Sequence, residues 1–573
     1  MAEAGTTLLK NDNAVLPLSS GSAGNVAVIG PSASASPTYG GGGSAYVVPS
    51  KTVTPLQGIT AAAGPGTHVS YAQGLPADTS LPAIPPASLT PAYAPTPYGG
   101  KYTGTLTAPE TGTYVLAITN SCGCYTPTYL SLDGKQLIDD PSTPPVHTYS
   151  VAVLTRGQQY TLSISGASSA LLWGTPSALA PGIASAVTAA KSAETAVVVV
   201  SDDTESEATD RPSLDLPSAH NELISAVAAA NPQTVVVVNA GAPVAMPWLS
   251  KVAGVLDAWY PGQSSGTALA SVLFGQTDPG GHLPVTFPPD LSQVPASTTA
   301  QFPGNGATVL YSEGLDVGYR WYDARNITPM FPFGYGLSYT RFAYSHLQVT
   351  PAVTGTQDVH VSATVTNVGS RAGSDVAQLY LGDPAAAGEP PRQLRGFQRV
   401  TLSPGQSTRV HFTVTPAGTQ WFDQSAPDSS YAGGGWSQTA GAYRVYVGDS
   451  SALANLPLRG GFQMTSTPGN RQVSVSAPAT MKAGQPSQVT VTLTSGGTET
   501  LHAVRLALQV PQGWTVKPAG RTVFGNVPPS AAPAATFTVT PRSYAPNASQ
   551  TVHATADMGA LRREAGATVT VGG

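Results

Sequence analysis

Two runs of β-branched residues constrain this chain more than any other feature. Thr195-Ala196-Val197-Val198-Val199-Val200 and Thr234-Val235-Val236-Val237-Val238 have no polar face. A strand that is apolar on both sides must be covered on both sides, which is the situation of a parallel sheet between layers of helix. The flanks agree. A helical stretch at about residues 183–192 precedes the first run. Ahead of the second, Leu223, Ile224, Val227 and Ala228 recur at helical spacing, with Ser218 as the expected N-cap behind Pro217. Asn25-Val26-Ala27-Val28-Ile29, closed by Gly30-Pro31, reads as a third buried strand. Residues 1–92 and 177–340 are expected to be two parts of one α/β sandwich domain.

The pattern changes between those parts. Thr113-Tyr114-Val115-Leu116-Ala117-Ile118 and Gln159-Tyr160-Thr161-Leu162-Ser163-Ile164 carry strand signals, and Asp133-Gly134 is a hairpin turn signal. This predicts an antiparallel β-module inserted at residues 93–176, led in by a Pro-rich linker over residues 75–97. Beyond residue 340 the chain reads as all-β. Val359-His360-Val361-Ser362-Ala363-Thr364-Val365 and Tyr443-Arg444-Val445-Tyr446-Val447 belong to one immunoglobulin-like sandwich, expected over residues 341–465. Gln488-Val489-Thr490-Val491-Thr492-Leu493 belongs to a second, over residues 466–573. The fold class is therefore multidomain, α/β plus all-β. The 61 glycines and 52 prolines fit so many turns.

Charge narrows the function. The formal net charge is −5, so there is no basic surplus for a nucleic acid. No apolar run approaches the roughly 18 residues of a membrane span. Met1-Ala2-Glu3-Ala4-Gly5 has neither a basic n-region nor an apolar h-region, so no signal peptide is expected there. Cys122 and Cys124 are the only cysteines, too few for a disulfide scaffold and without the further ligands of a metal site. No cofactor is expected.

The chemistry concentrates in Asp202-Asp203-Thr204-Glu205-Ser206-Glu207-Ala208-Thr209-Asp210-Arg211, which puts five carboxylates in nine residues. It follows directly on a strand of the expected parallel sheet, and open α/β sheets bind ligands at the carboxyl ends of their strands. Crowded carboxylates raise one another's pKa, and glycosidic cleavage needs a carboxylic acid that is still protonated near neutral pH.

The ordered motifs of the chain resemble the second half of glycoside hydrolase family 3, the β-glucosidase-type enzymes. They are Thr7-Leu8-Leu9-Lys10-Asn11-Asp12, Gly41-Gly42-Gly43-Ser44-Ala45, the acidic cluster through Asp210-Arg211-Pro212, and Ala258-Trp259-Tyr260-Pro261-Gly262-Gln263. Gly281-His282-Leu283-Pro284-Val285-Thr286-Phe287-Pro288 and Val317-Gly318-Tyr319-Arg320-Trp321-Tyr322-Asp323 follow. The resemblance implies that Glu207 is the general acid/base, in a Glu-Ser-Glu-Gly pattern with Ala208 in place of the glycine. Glu205 is the alternative. Asp210 and Arg211 would brace the loop, and His220 would begin a helix. The substrate class is an oligosaccharide or glycoside. The insert resembles a protective antigen 14 module, and the two sandwiches resemble fibronectin type III-like and NEW-type domains. The family's nucleophile sits on a (β/α)8 barrel, and no stretch of this sequence resembles one. The nucleophile is expected outside this chain, which alone would be inactive and could work with a separate barrel-domain chain. Family and composition point to an exported protein. A different class of reading is a non-catalytic carbohydrate-binding protein, with Tyr125, Tyr129 or Trp173 as aromatic platforms.

Overall fold

The two valine runs are neighbouring parallel strands at the centre of a six-stranded sheet. In this computed structural model the described residues are 1–19, 24–44, 47–76, 80–95, 100–119, 127–140, 148–166, 170–207, 210–211, 213–217, 219–423, 435–467, 471–495, 500–529, 531–542, 548–558 and 561–572. The sheet contains β1 (Thr7–Asn11), β2 (Asn25–Ile29), β3 (His68–Ala72), β4 (Thr195–Ser201), β5 (Thr234–Asn239) and β6 (Gly254–Asp257), in the order β1-β6-β5-β4-β2-β3. All pairings are parallel except that of the edge strand β1, which runs antiparallel to β6.

Alternate side chains of the same strands feed two separate cores. Ala27, Ile29, Val198, Val200, Val236 and Val238 face the helices Pro176–Lys191 and His220–Ala230. Val26, Val28, Val197, Val199, Val235 and Val237 face the helices Pro55–Ala63 and Ser265–Leu273. This double coverage is why the runs are apolar at every position. The helix starts are set locally. Thr54 and Gln57 close a reciprocal capping box, and the Thr175 hydroxyl accepts from the Ala178 amide. The expected N-cap Ser218 lies outside the described residues, and the helix there opens behind Ala219.

The insert leaves after β3 and returns at the helix Pro176–Lys191. It is two facing sheets, of five and three strands, closed around Leu106, Tyr114, Leu116, Leu130, Leu162 and Trp173. Asp133 and Gly134 both have positive φ (49° and 78°), as a two-residue type I′ hairpin requires. The Pro-rich stretch differs from the expected linker. Leu81, Ile84 and Leu89 are buried, and Leu89–Thr90 pairs as an edge strand with Lys101–Thr107. Spaced apolar residues give this stretch something to bury, and an edge strand tolerates neighbouring prolines. The module is also fused to the body: Val115, Ala117, Tyr149 and Leu172 share a core with Leu179 and Leu223. Trp173 is buried against Tyr114, which removes it as a surface platform. Tyr129 lies half-buried in the strand Thr128–Leu132, and Cys122, Cys124 and Tyr125 lie outside the described residues.

From Phe342 to Ser466 a three-stranded and a five-stranded sheet enclose one core, and from Gln472 to Gly572 a four-stranded and a five-stranded sheet enclose another. Among the described residues no helix is long and apolar enough to cross a membrane.

Candidate active site

The acidic loop springs from the carboxyl end of β4 and splits into an anchored part and a free part. Asp202 is buried, its Oδ2 2.9 Å from Arg211 Nε, and its Oδ1 accepts from the Thr204 amide and hydroxyl. Arg211 also reaches the Pro243 carbonyl at 2.8 Å and Glu205 Oε1 at 3.3 Å. Glu205 Oε2 accepts from the Gly241 amide at 2.5 Å and contacts the hydroxyl of Tyr260, which lies 2.7 Å from the Asp202 carbonyl. Burial, and next the charge of Asp202, push the Glu205 carboxyl up, while Tyr260, Arg211 and the Gly241 amide oppose them. The expected repulsion thus falls on Glu205. Arg211 braces the loop, while Asp210 is exposed.

Glu207, two residues on, is exposed. Its Oε2 accepts from the Ser44 amide at 2.8 Å and contacts the Ser44 hydroxyl, and these two donors hold its pKa below the ordinary carboxylate value. The backbone beneath it is fixed by a bridge between Gly42 and Ser206, in which the Gly42 amide donates to the Glu205 carbonyl at 2.9 Å. Gly43 has φ +88°, and a Cβ there would lie 2.4 Å from that of Glu207, so the close approach of the two loops requires glycine. Ala208 lies outside the described residues.

Three further groups converge on this edge of the sheet. The Tyr149 hydroxyl, from the inserted module, contacts Asp203 Oδ1. Asp257, at the carboxyl end of β6, is fully buried, and desolvation pushes its pKa up to about 8. Its Oδ1 accepts from the amide of Trp259, a residue with φ +54°, and its Oδ2 has no partner among the described residues. His220 begins the helix His220–Ala230, and burial lowers its pKa to about 4. A cleft of about 1050 Å³ opens beside the loop, lined by Thr38, Tyr39, Asp203, Tyr260 and Gln263 among others. Among the described residues no group of three or more His, Cys, Asp or Glu side chains is placed to hold a metal ion.

Ser44, Tyr260, Tyr149 and Asp257 received no role from the sequence. Ser44 and Tyr260 stand inside quoted motifs, and Asp257 could have been singled out as a carboxylate ending a buried strand. Nothing in the sequence pairs Tyr149 with Asp203. Of the two glutamates, the arrangement leaves Glu207 open to an incoming molecule and spends Glu205 on holding the loop. Retaining glycosidases set two carboxyls about 5–5.5 Å apart across the scissile bond.

Known proteins share this architecture. The glycosyl hydrolase family 3 C-terminal domain matches residues 6–339, a fibronectin type III-like domain residues 375–451, and the NPCBM-associated NEW3 domain of alpha-galactosidase residues 481–559. The chain is 35% identical over 504 residues to a beta-glucosidase of Rhizobium radiobacter, covering 78% of this chain and 60% of that protein. It is 42% identical over 267 residues to thermostable beta-glucosidase B of Acetivibrio thermocellus, covering 46% and 34%. Among solved structures, a beta-glucosidase from Streptomyces venezuelae in complex with D-glucose superposes with a TM-score of 0.67 at 37% identity, over 81% of this chain and 59% of that one. One from Kluyveromyces marxianus, also with glucose, gives 0.60 at 28%, over 81% and 61%. The chain thus spans about three fifths of the length of the Rhizobium radiobacter and Streptomyces venezuelae proteins. With the family's C-terminal domain matched over more than half of its residues, the chain belongs to glycosyl hydrolase family 3.

Proposed function

We propose that this chain is the acid/base half of a retaining β-glucosidase-type glycosidase, and that its nucleophile comes from a barrel domain outside these 573 residues. One observation carries the assignment. Of the two glutamates in the Glu-Ser-Glu step, Glu205 is consumed by Arg211, Tyr260 and the Gly241 amide, while Glu207 points its carboxylate outward from a fixed backbone. Relatives named as β-glucosidases support the substrate class. The low pKa of Glu207 belongs to its open state. A domain closing over it would strip its water and push the pKa up, towards what a general acid needs.

The test restores the second half. Fused behind a family barrel, the chain should hydrolyse aryl β-glucosides, while alone it should match the buffer rate. In the fusion, Glu207→Ala should lose roughly 10²–10⁴-fold on ordinary glycosides, the usual worth of general acid–base help. With a dinitrophenyl leaving group the glycosyl-enzyme should accumulate, and azide should restore turnover. Azide rescue of Glu205→Ala instead would move the role to Glu205. Robust turnover by the unfused chain would end the two-part reading.

A further inference from the structure

The smaller sheet of the first sandwich is built from Phe342–Val349, Val359–Asn367 and Ser407–Val414. Val359, Val361, Val410 and Phe412 turn its inner face to the core. The outer face is polar, and its charge is one-sided. In a chain of formal net charge −5, none of the three strands contains Asp or Glu, yet together they carry His346, His360, Arg409 and His411. All four are exposed. The nearest acid along the chain, Asp358, stands ahead of the middle strand. Register gathers the polar groups at one place. His360 faces Thr413 and Ser362 faces His411, so the two histidines are diagonal neighbours, about 7–8 Å apart by residue spacing. Gln348 faces Ser362 from the other side. It does so through one extra residue between Ser345 and Gln348, a bulge at which His346 has φ +53°. Bulges re-aim the side chains that follow them, and this one returns Gln348 to the outer face. Arg409 leans over the same serine: its Nε and Nη2 donate to the Ser362 hydroxyl at 3.1 and 2.9 Å, and Nη2 also contacts Gln348 Oε1. Its Nη1 and both ring nitrogens of His411 have no hydrogen-bond partner among the described residues. His360 shares Nδ1 with the Thr413 hydroxyl at 3.4 Å. A hollow of about 470 Å³ lies over this point, lined by Gln348, Thr350, His360, Ser362, His411 and Thr413 among others. Small-molecule sites usually measure roughly 300–1,000 Å³.

We propose that this face binds an acidic saccharide. The oxyanion of a uronate or a sulfate ester meets the Arg409 guanidinium and the ring N–H groups of His360 and His411, and the sugar hydroxyls meet Gln348, Ser362 and Thr413. Charge complementarity chooses the occupant. A carboxylate-free face with a guanidinium fork and imidazole donors matches an oxyanion, and charge-assisted hydrogen bonds of this kind are the strong ones. The amide and hydroxyl groups around it suit a polyol. No Phe, Tyr or Trp stands at the outward positions for a nucleic-acid base to stack on. Two copies of the face set against each other would oppose guanidinium to guanidinium. The face shares no residue with the Glu207 site, so the two stand or fall separately.

Titration calorimetry of the 573-residue chain with three oligosaccharides of equal length separates the sources of the oxyanion. Oligogalacturonate carries carboxylates, a sulfated dextran oligomer carries sulfate esters, and the plain dextran oligomer carries neither. At least one acidic ligand should bind, more weakly as salt rises, and the neutral one should not. Binding of one acidic ligand alone upholds the proposal and names its oxyanion. Arg409→Gln and His411→Ala should each weaken that binding about tenfold or more, the usual worth of a hydrogen bond to a charged group. The native chain offers a second readout. Diethyl pyrocarbonate should modify His360 and His411, and the acidic oligosaccharide should protect both while His502, exposed on the second sandwich, stays reactive. Failure of both acidic ligands to bind, equal affinity for all three, affinity unchanged by both variants, or no protection of His360 and His411 overturns the proposal. So does duplex DNA that binds as tightly and protects the same histidines. Protection already present in the free chain, with a doubled mass by light scattering, overturns it in favour of a second copy.

Discussion

At the scale of single residues, the edge of the sheet works by assigning each carboxylate a different environment. Asp202 is paired with Arg211, Glu205 is partly buried and raised, Glu207 is open and lowered, and Asp257 is enclosed. Two consequences can be measured. Ser44 is the first cause of the low pKa of Glu207, so Ser44→Ala should raise it. In the barrel fusion the alkaline limb of kcat should then move to higher pH, because a weaker acid keeps its proton longer. An unmoved limb would show that Ser44 does not act on Glu207 once substrate is bound. Asp257 gives a stability test. Its folded pKa is raised from 3.8 to about 8, so between those values the folded chain holds a proton that the unfolded chain has released. Stability from this group is complete below about pH 4 and drains away as pH rises towards 8. Asp257→Asn imitates the protonated form and should lose nothing over that window. The Tm gap between variant and native chain should widen in favour of the variant from pH 5 to pH 8. A gap independent of pH would mean that Asp257 is ionised in the folded chain.

At the scale of elements, stability hangs on close packing that only glycine permits. The helices Pro55–Ala63 and Ser265–Leu273 meet through Gly58 and Gly266: a Cβ on Gly266 would lie 2.0 Å from the Thr54 carbonyl oxygen, and one on Gly58 1.9 Å from that of Gly266. These obstacles are backbone, so Gly266→Ala must part the helices. It should cost about 1–3 kcal/mol, the usual range for overpacking, or more. Equilibrium denaturation measures it, and a loss within about 0.5 kcal/mol, as at an indifferent surface site, would show that the helices can slide apart freely. What could be read beforehand follows the same physics. The valine runs announced their strands because burial on both faces leaves no polar position. The stretch over residues 75–97 was masked by its prolines, and Trp173 looked like a platform because one aromatic in a strand does not reveal which face it takes. At the site, the acidic loop was legible because it follows a strand end. Its partners were not, since Ser44, Tyr149 and Tyr260 arrive from other elements, and sequence distance says nothing about which side chains the sheet edge brings together.

At the scale of the whole molecule, the α/β domain and the first sandwich are joined by a seam that is polar along part of its length. Asp278 accepts from the Ser338 hydroxyl and from the amides of Tyr339 and Ser374, and the Ser451 amide donates to the Phe333 carbonyl at 2.8 Å. A cavity of about 970 Å³ lies in this seam, with Asp375, Asp449, Arg341 and Arg371 in its lining. Asp375 accepts from the Tyr344 hydroxyl at 2.6 Å, and His282 Nε2 lies 3.6 Å from its Oδ1. The Asp449 carbonyl takes Gln378 Nε2 at 2.5 Å, and its Oδ1 has no partner among the described residues. Burial, and next the charge of Asp375, push its pKa up to about 7. The sign follows from that rise: the folded chain favours protonated Asp449, so the seam is tightest in mild acid and loosens as pH climbs from about 4 through 7. The slope from one such group is at most about 1.4 kcal/mol per pH unit. Hydrogen exchange at the seam amides of Tyr339, Ser374 and Ser451 should therefore speed up between pH 6 and pH 8 by more than the intrinsic base catalysis, while amides inside β4 and β5 should not. Asp449→Asn should remove the excess at the seam alone. If the excess survives that substitution, the seam answers to another group in the same cavity, and the Asp375–His282 contact becomes the place to cut next.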